Sequence, residues 1–134
     1  MNNRIEEAIQ EYNKKVAQNK ERVSALMDKG DFLDDDGYPT EDSLEIIENW
    51  IWADYPGLLA FIRGIWHLAS WGWHECDELD DFKEKQVHRY HISTAGWSGN
   101  EAIIRVLEKN YMFWAFTWVQ SNRGGHYIFE VDEE

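Results

Sequence analysis

The sequence predicts an α+β protein in which three N-terminal helices are followed by a ββαββ unit with a mainly antiparallel four-stranded sheet. Three observations carry that prediction. Apolar residues recur in steps of three and four through the first seventy positions, the spacing of one helix face. From Trp71 the period changes, with Trp71, Trp73 and Glu75 alternating against Gly72, His74 and Cys76. Finally, Asn122, Arg123, Gly124 and Gly125 form a turn signal between two runs rich in aromatic and β-branched residues.

The first helix is expected over residues 3–29, with Gly30 as its stop. Ile5, Ile9, Tyr12, Val16, Asn19, Val23 and Leu26 form a heptad seam along it. Such a seam serves either an antiparallel homodimer through residues 5–26 or packing on the chain's own second half. Lys15 would meet Lys20 in a parallel pair, which argues against that arrangement. Asp34, Asp35, Asp36, Gly37, Tyr38 and Pro39 read as a loop. Thr40 then caps a second helix that carries Leu44, Ile47, Trp50 and Ile51 inward, with Glu41 and Asp42 in its first turn. Asp54 to Gly57 starts a third helix, whose apolar face runs from Leu58 through Phe61, Ile62, Ile65 and Trp66 to Ala69.

In the second half, a strand over residues 71–76 and one over residues 87–94 make a hairpin around the acidic turn 77–84. Ser98, Gly99, Asn100 and Glu101 match a capping box, so a helix is expected over residues 99–109 with Ile103, Ile104 and Leu107 buried. Residues 111–120 read as a long aromatic strand and residues 126–131 as the last one. No internal repeat or flexible linker divides the chain. Residues 1–134 are therefore expected to form one domain, helical over 1–70 and ββαββ over 71–134, as suits a chain of this length.

The formal net charge is −13 and is unevenly spread. Residues 1–29 hold six Lys/Arg against five Asp/Glu, whereas residues 30–62 hold nine acids and no Lys or Arg. A field of that sign opposes direct binding to nucleic acid, which depends on Lys/Arg contacts to phosphate, and to anionic membranes. It attracts basic protein surfaces. Cys76 is the only cysteine, which excludes an internal disulfide and suits a reducing compartment. With no apolar signal core and no stretch of about 20 apolar residues, a cytoplasmic location is expected.

The motifs with chemical potential are incomplete. Placing Gly37 at the sixth position of an EF-hand puts Phe32 at the first and Ser43 at the twelfth, where acids are required. Gly96, Trp97, Ser98 and Gly99 begin a nucleophile elbow, but Asn100 stands where the motif needs glycine, so no catalytic residue is assigned. His74 and Cys76 share one strand face, while His88 and His91 fall on opposite faces. The spacing contains no zinc motif, and neither metal nor cofactor is expected. A ligand reading centres on Gly96, Trp97, Ser98 and Gly99, whose backbone N–H groups open a helix, with Arg123 and His126 supplying positive charge to a nucleotide or other anion.

The segment Gly96-Trp97-Ser98-Gly99-Asn100-Glu101-Ala102-Ile103-Ile104, the triplet Met112-Phe113-Trp114 and the run from Arg123 to Val131 resemble those of a group of small tailed-phage and prophage proteins. The likeness covers the chain from Trp71 on and brings no activity with it. Ala95 stands where that pattern has another glycine. The resemblance implies a mobile-element origin and, by analogy, an inhibitor of host machinery working in the host cytoplasm. The expected function is accordingly an acidic interaction protein that blocks a basic, nucleic-acid-handling surface of a host defence protein by imitating nucleic-acid charge. Asp34, Asp35 and Asp36 would supply that charge, and Tyr38 and Trp52 would anchor the contact. The alternative is the small-ligand binder built on residues 96–99, Arg123 and His126.

Overall fold

The computed structural model describes residues 3–51 and 54–132. The elements run α1 (Asn3–Lys29), α2 (Glu41–Glu48), α3 (Tyr55–Ile65), α4 (Ala69–Gly72), β1 (Trp73–Asp80), β2 (Lys85–Ser93), α5 (Ser98–Lys109), α6 (Tyr111–Thr117), β3 (Trp118–Asn122) and β4 (His126–Asp132). The class is α+β, and the four strands form one sheet in the order β1-β2-β4-β3 with every neighbouring pair antiparallel. Among the described residues there are six helices rather than four, so the second half is not a simple ββαββ. No described helix is long and apolar enough to cross a membrane.

The largest departure lies at residues 111–117, expected as strand and found as helix. Tyr111, Met112, Phe113, Trp114, Ala115 and Phe116 are nearly all apolar, so their pattern has no period that separates strand from helix. The local chemistry decides. The Asn110 side chain caps the helix by accepting from the Phe113 N–H at 3.3 Å, and its amide donates to the Ile47 carbonyl at 3.1 Å. Phe113 and Thr117, one turn apart, are the buried pair. Only Trp118 to Asn122 remain as strand, exposed along their length and interrupted by a bulge near Trp118.

The N-terminal half is closer to expectation. Thr40 accepts from the Ser43 N–H at 3.2 Å and starts α2, which buries Ser43, Ile46 and Ile47 but stops at Glu48, so Trp50 and Ile51, expected on it, lie past its end. Pro56 sits in the first turn of α3, where a missing N–H costs nothing, and Leu58, Leu59, Ile62 and Ile65 are buried. The third helix, expected to reach Ala69, ends at Ile65. Trp66 turns extended and Leu68 adopts a left-handed conformation (φ 59°), which breaks the rod and starts the short α4. Trp66 is held there by its indole N–H, donated to the Ser93 carbonyl at 3.0 Å.

Helices and sheet share one apolar cluster built on Ile47, Leu58, Ile62, Trp66, Trp73, Tyr90, Ile92, Ile103, Leu107, Phe113 and Phe129. Trp73, Tyr90, Ile92 and Phe129 come from the sheet, and register places them on one face. The opposite face carries His74, Cys76, Glu78, Arg89, His91, His126, Ile128 and Glu130, none of which belongs to the cluster. The seam of α1 engages the body from Tyr12 onward. Leu26 is buried and Tyr12, Val16, Asn19 and Val23 are half-buried, whereas Ile5 and Ile9 are 64% and 53% exposed.

Candidate functional site

The acidic loop and the 96–99 loop, read from sequence as two separate sites, form one surface. The 31–40 segment is closed like a small hairpin. Asp34 N–H donates to the Tyr38 carbonyl at 2.8 Å, and Asp34 Oδ1 accepts from the N–H groups of Asp36 and Tyr38, both at 2.9 Å. Gly37 (φ 84°) takes the left-handed turn position that this closure needs. Thr40 ties the base by donating its hydroxyl to the Asp31 carbonyl at 2.7 Å.

Tyr38 then stacks on Trp97 with ring centroids 4.7 Å apart, and Trp97 stacks on His67 at 4.3 Å. This row of rings joins the acidic loop, the start of α5 and the segment after α3. Gly99 is required beneath it. A Cβ there would stand 2.7 Å from Trp97 Nε1 and 3.1 Å from both Pro39 Cδ and Tyr38 Cδ1. The Trp97 indole N–H is buried in this packing without an acceptor.

Ser98 does not cap α5, contrary to the capping-box expectation. The helix begins at Ser98 itself, the residue before it is Trp97, and no side chain closes that end. The Ser98 hydroxyl instead bonds the Tyr38 hydroxyl at 3.3 Å. Asn100, the residue that spoils the nucleophile-elbow pattern, has a structural task. Its Oδ1 accepts from the His67 N–H at 3.0 Å, and its Nδ2 donates to the carbonyls of His67 at 3.0 Å and Thr94 at 3.3 Å.

The structure also brings the β3–β4 turn to the 94–96 loop, as the ligand reading requires. Thr94 N–H donates to the Gly125 carbonyl at 3.0 Å, and His126 pairs with Ser93 in the ladder. Arg123 and His126 are exposed at this end of the sheet. Ala95 (φ 55°) and Gly96 (φ 70°) are both left-handed, so alanine holds a position that favours glycine. Two features work against an anion here: Tyr38, Pro39 and Trp97 crowd Gly99, and the adjoining loop carries carboxylates. Asp34, Asp35 and Asp36 are exposed and Tyr38 is half-buried. Trp52 lies outside the described residues.

Charge is organised differently in the sheet and in the acidic loop. Across the sheet, acids have partners. Arg89 bridges Glu78 and Glu130, the latter at 3.0 Å. Lys83 and Lys85 approach Asp132 at 3.6 and 3.4 Å. His88 lies between Asp77 and Glu75, each 2.7 Å from one ring nitrogen, and the hydrogen bond to Asp77, followed by that to Glu75, raises its pKa. Burial pushes Glu75 up, but His88, the Trp73 indole N–H and Arg63 outweigh it and hold the carboxyl below its usual range. By contrast, Asp31, Asp34, Asp35, Asp36, Glu41 and Asp42 take part in none of the ion pairs among the described residues.

A second constellation lies on the outer sheet face. One ligand atom from each of Cys76, Glu78 and His91 falls within 4.8 Å of the other two. The Cys76 thiol donates to Glu78 Oε1 at 3.3 Å, which is the main reason its pKa is raised. Beside it, a cavity of about 430 Å³ is lined by His74, His91 and His126 together with Trp71 and Asn122. Spacing along the chain could not reveal this group, because His91 joins it only through the β1–β2 register, in which His74 faces His91 and Cys76 faces Arg89. These features define a small acidic α+β protein with an unneutralised carboxylate loop and a donor-rich sheet face. In comparisons with protein families, curated proteins and solved structures, nothing matches the chain.

Proposed function

We propose that this chain is an interaction protein that docks its acidic loop, residues 31–42, on a basic surface of a partner protein. The observation that carries this reading is the fixed presentation of the loop. Asp34 is locked by two backbone N–H groups and Tyr38 is stacked on Trp97, while Asp35 and Asp36 stay exposed. A carboxylate cluster on a pre-ordered loop loses less conformational entropy on binding than the same cluster on a mobile one. Charge of one sign with no ion-pair partner also steers association with a basic partner. The ring row of Tyr38, Trp97 and His67 lies beside it as a platform for contact. Resemblance to small tailed-phage proteins makes a host nucleic-acid-handling or defence protein the partner of choice, blocked by charge imitation. Exposed Ile5 and Ile9 support a second component, self-association through residues 5–26, which light scattering on a monomeric chain would remove.

The test replaces Asp34, Asp35 and Asp36 together with asparagine. Asp34→Asn keeps the oxygen that accepts from the N–H groups of Asp36 and Tyr38, so the melting temperature is expected to stay near wild type. Partner capture from a bacterial lysate should be lost in the variant and weaken with salt in the wild type. Capture that is equal for both chains and indifferent to salt would remove the charge-driven reading.

A further inference from the structure

The outer face of the sheet holds a donor set that the acidic-loop reading does not use. We propose that Cys76, Glu78 and His91 bind a single zinc ion, with the fourth coordination position open to the cavity beside His74 and His126. The site is independent of partner binding through the acidic loop.

Geometry comes first. Zn–S of about 2.3 Å and Zn–N or Zn–O of about 2.0 Å, in a tetrahedron, place donor atoms roughly 3.3–3.6 Å apart. The three atoms here already lie within 4.8 Å of one another, so side-chain rotation has about 1 Å to close. Cys76 and Glu78 are two apart on β1 and project from the same face, and His91 lies on the adjacent strand, opposite His74.

The chemistry of the set is selective. Thiolate and imidazole favour zinc and its neighbours over magnesium or calcium, which take all-oxygen shells. Charge agrees as well. Arg89 holds one oxygen of Glu78, leaving the other, Oε1, toward the thiol, and Glu130 balances Arg89. Once the thiol has lost its proton, Cys76 and Glu78 leave two uncompensated negative charges, the complement of a divalent cation. Binding forms the metal–sulfur bond as the S–H bond breaks. The proton passes to solvent and no electron changes hands. Arg89 then orients the ligating carboxylate from behind, as such partners do in metal sites.

Cobalt(II) is the probe, added to the untagged full chain and then displaced by zinc. The expected result is one equivalent bound, with visible bands of four-coordinate strength and a sulfur-to-cobalt charge-transfer band in the near ultraviolet. Cys76 is the only cysteine, so that band identifies its sulfur without any variant. Cys76→Ser should abolish the band, and His91→Ala should weaken binding by at least about tenfold. Circular dichroism of each metal-free variant reports whether it folds. Binding without the charge-transfer band in wild type, no binding of either ion at micromolar concentration, or unchanged affinity in folded His91→Ala would each overturn the proposal.

Discussion

Asn100 is the side chain on which the loop surface depends most. It is 1% exposed and makes three hydrogen bonds, two with the His67 backbone and one with the Thr94 carbonyl. It therefore fixes both His67, the far ring of the stack, and the loop that leads to Trp97. Removing it in Asn100→Ala deletes three bonds worth about 1 kcal/mol each and leaves the His67 N–H without that partner, for a loss of about 3 kcal/mol. For a domain of this size that corresponds to a melting temperature roughly 10 °C lower. Asn100→Asp is nearly isosteric and sharper. One carboxylate oxygen can still accept from the His67 N–H, but the other faces two carbonyls with no proton to offer. Ionised, it should cost at least as much as alanine. Burial and those carbonyls favour the protonated acid, which donates as the amide did, so the deficit relative to wild type should shrink between about pH 7 and about pH 5. Urea melts of the three chains at both pH values give the comparison. Asn100→Ala within about 0.5 kcal/mol of wild type, or an Asn100→Asp deficit independent of pH, would refute the bracket.

Two further outcomes follow from the same geometry. Ser98→Ala should be nearly neutral, within about 0.5 kcal/mol in denaturant melts, because the hydroxyl caps nothing and meets only the tyrosine hydroxyl of Tyr38; a loss of about 1 kcal/mol would restore the capping role. His88 is bound more tightly as imidazolium in the folded chain, so its contribution is complete below the unfolded value of about 6.5 and fades as pH rises through the raised folded value. The stability gap between wild type and His88→Gln, about 0.5–1 kcal/mol at slightly acid pH, should therefore close toward alkaline pH, and a gap that widens would assign the pair wrongly.

Much of this fold can be read from the sequence wherever one physical signal dominates. Thr40 before two acids gives the start of α2, and the alternation of Trp73 and Glu75 against His74 and Cys76 gives β1, although Trp71 and Gly72, expected on the same strand, belong to α4. The apolar face of Ile103, Ile104 and Leu107 gives α5. Reading fails where signals cancel. A nearly all-apolar run hides its period at α6, although Asn110 three residues before Phe113 is a visible cap. The ring row cannot be read at all, since Tyr38 and Trp97 meet only through tertiary packing. Gly99 shows its consequence, a position where a Cβ would strike three neighbours.

The acidic end of β1 holds the last piece, because it connects a misread boundary to a missed site. Residues 77–84 look like one long turn, since Asp and Glu are poor strand formers. The strand nonetheless continues to Asp80, and only residues 81–84 turn. Its neighbours resolve the conflict: His88 takes Asp77 and Glu75 on the core face, and Arg89 takes Glu78 on the outer face. The cations of β2 thus act as cross-strand partners that make an acid-rich strand stable. Ending β1 at Cys76 removes Glu78 from the sheet, and with it one of the three donors. Carrying the strand to Asp80 fixes the pairing Asp80–Lys85, and that register sets Glu78, Cys76 and His91 together on the outer face. One boundary, decided by charge pairing rather than by propensity, determines whether the donor cluster exists.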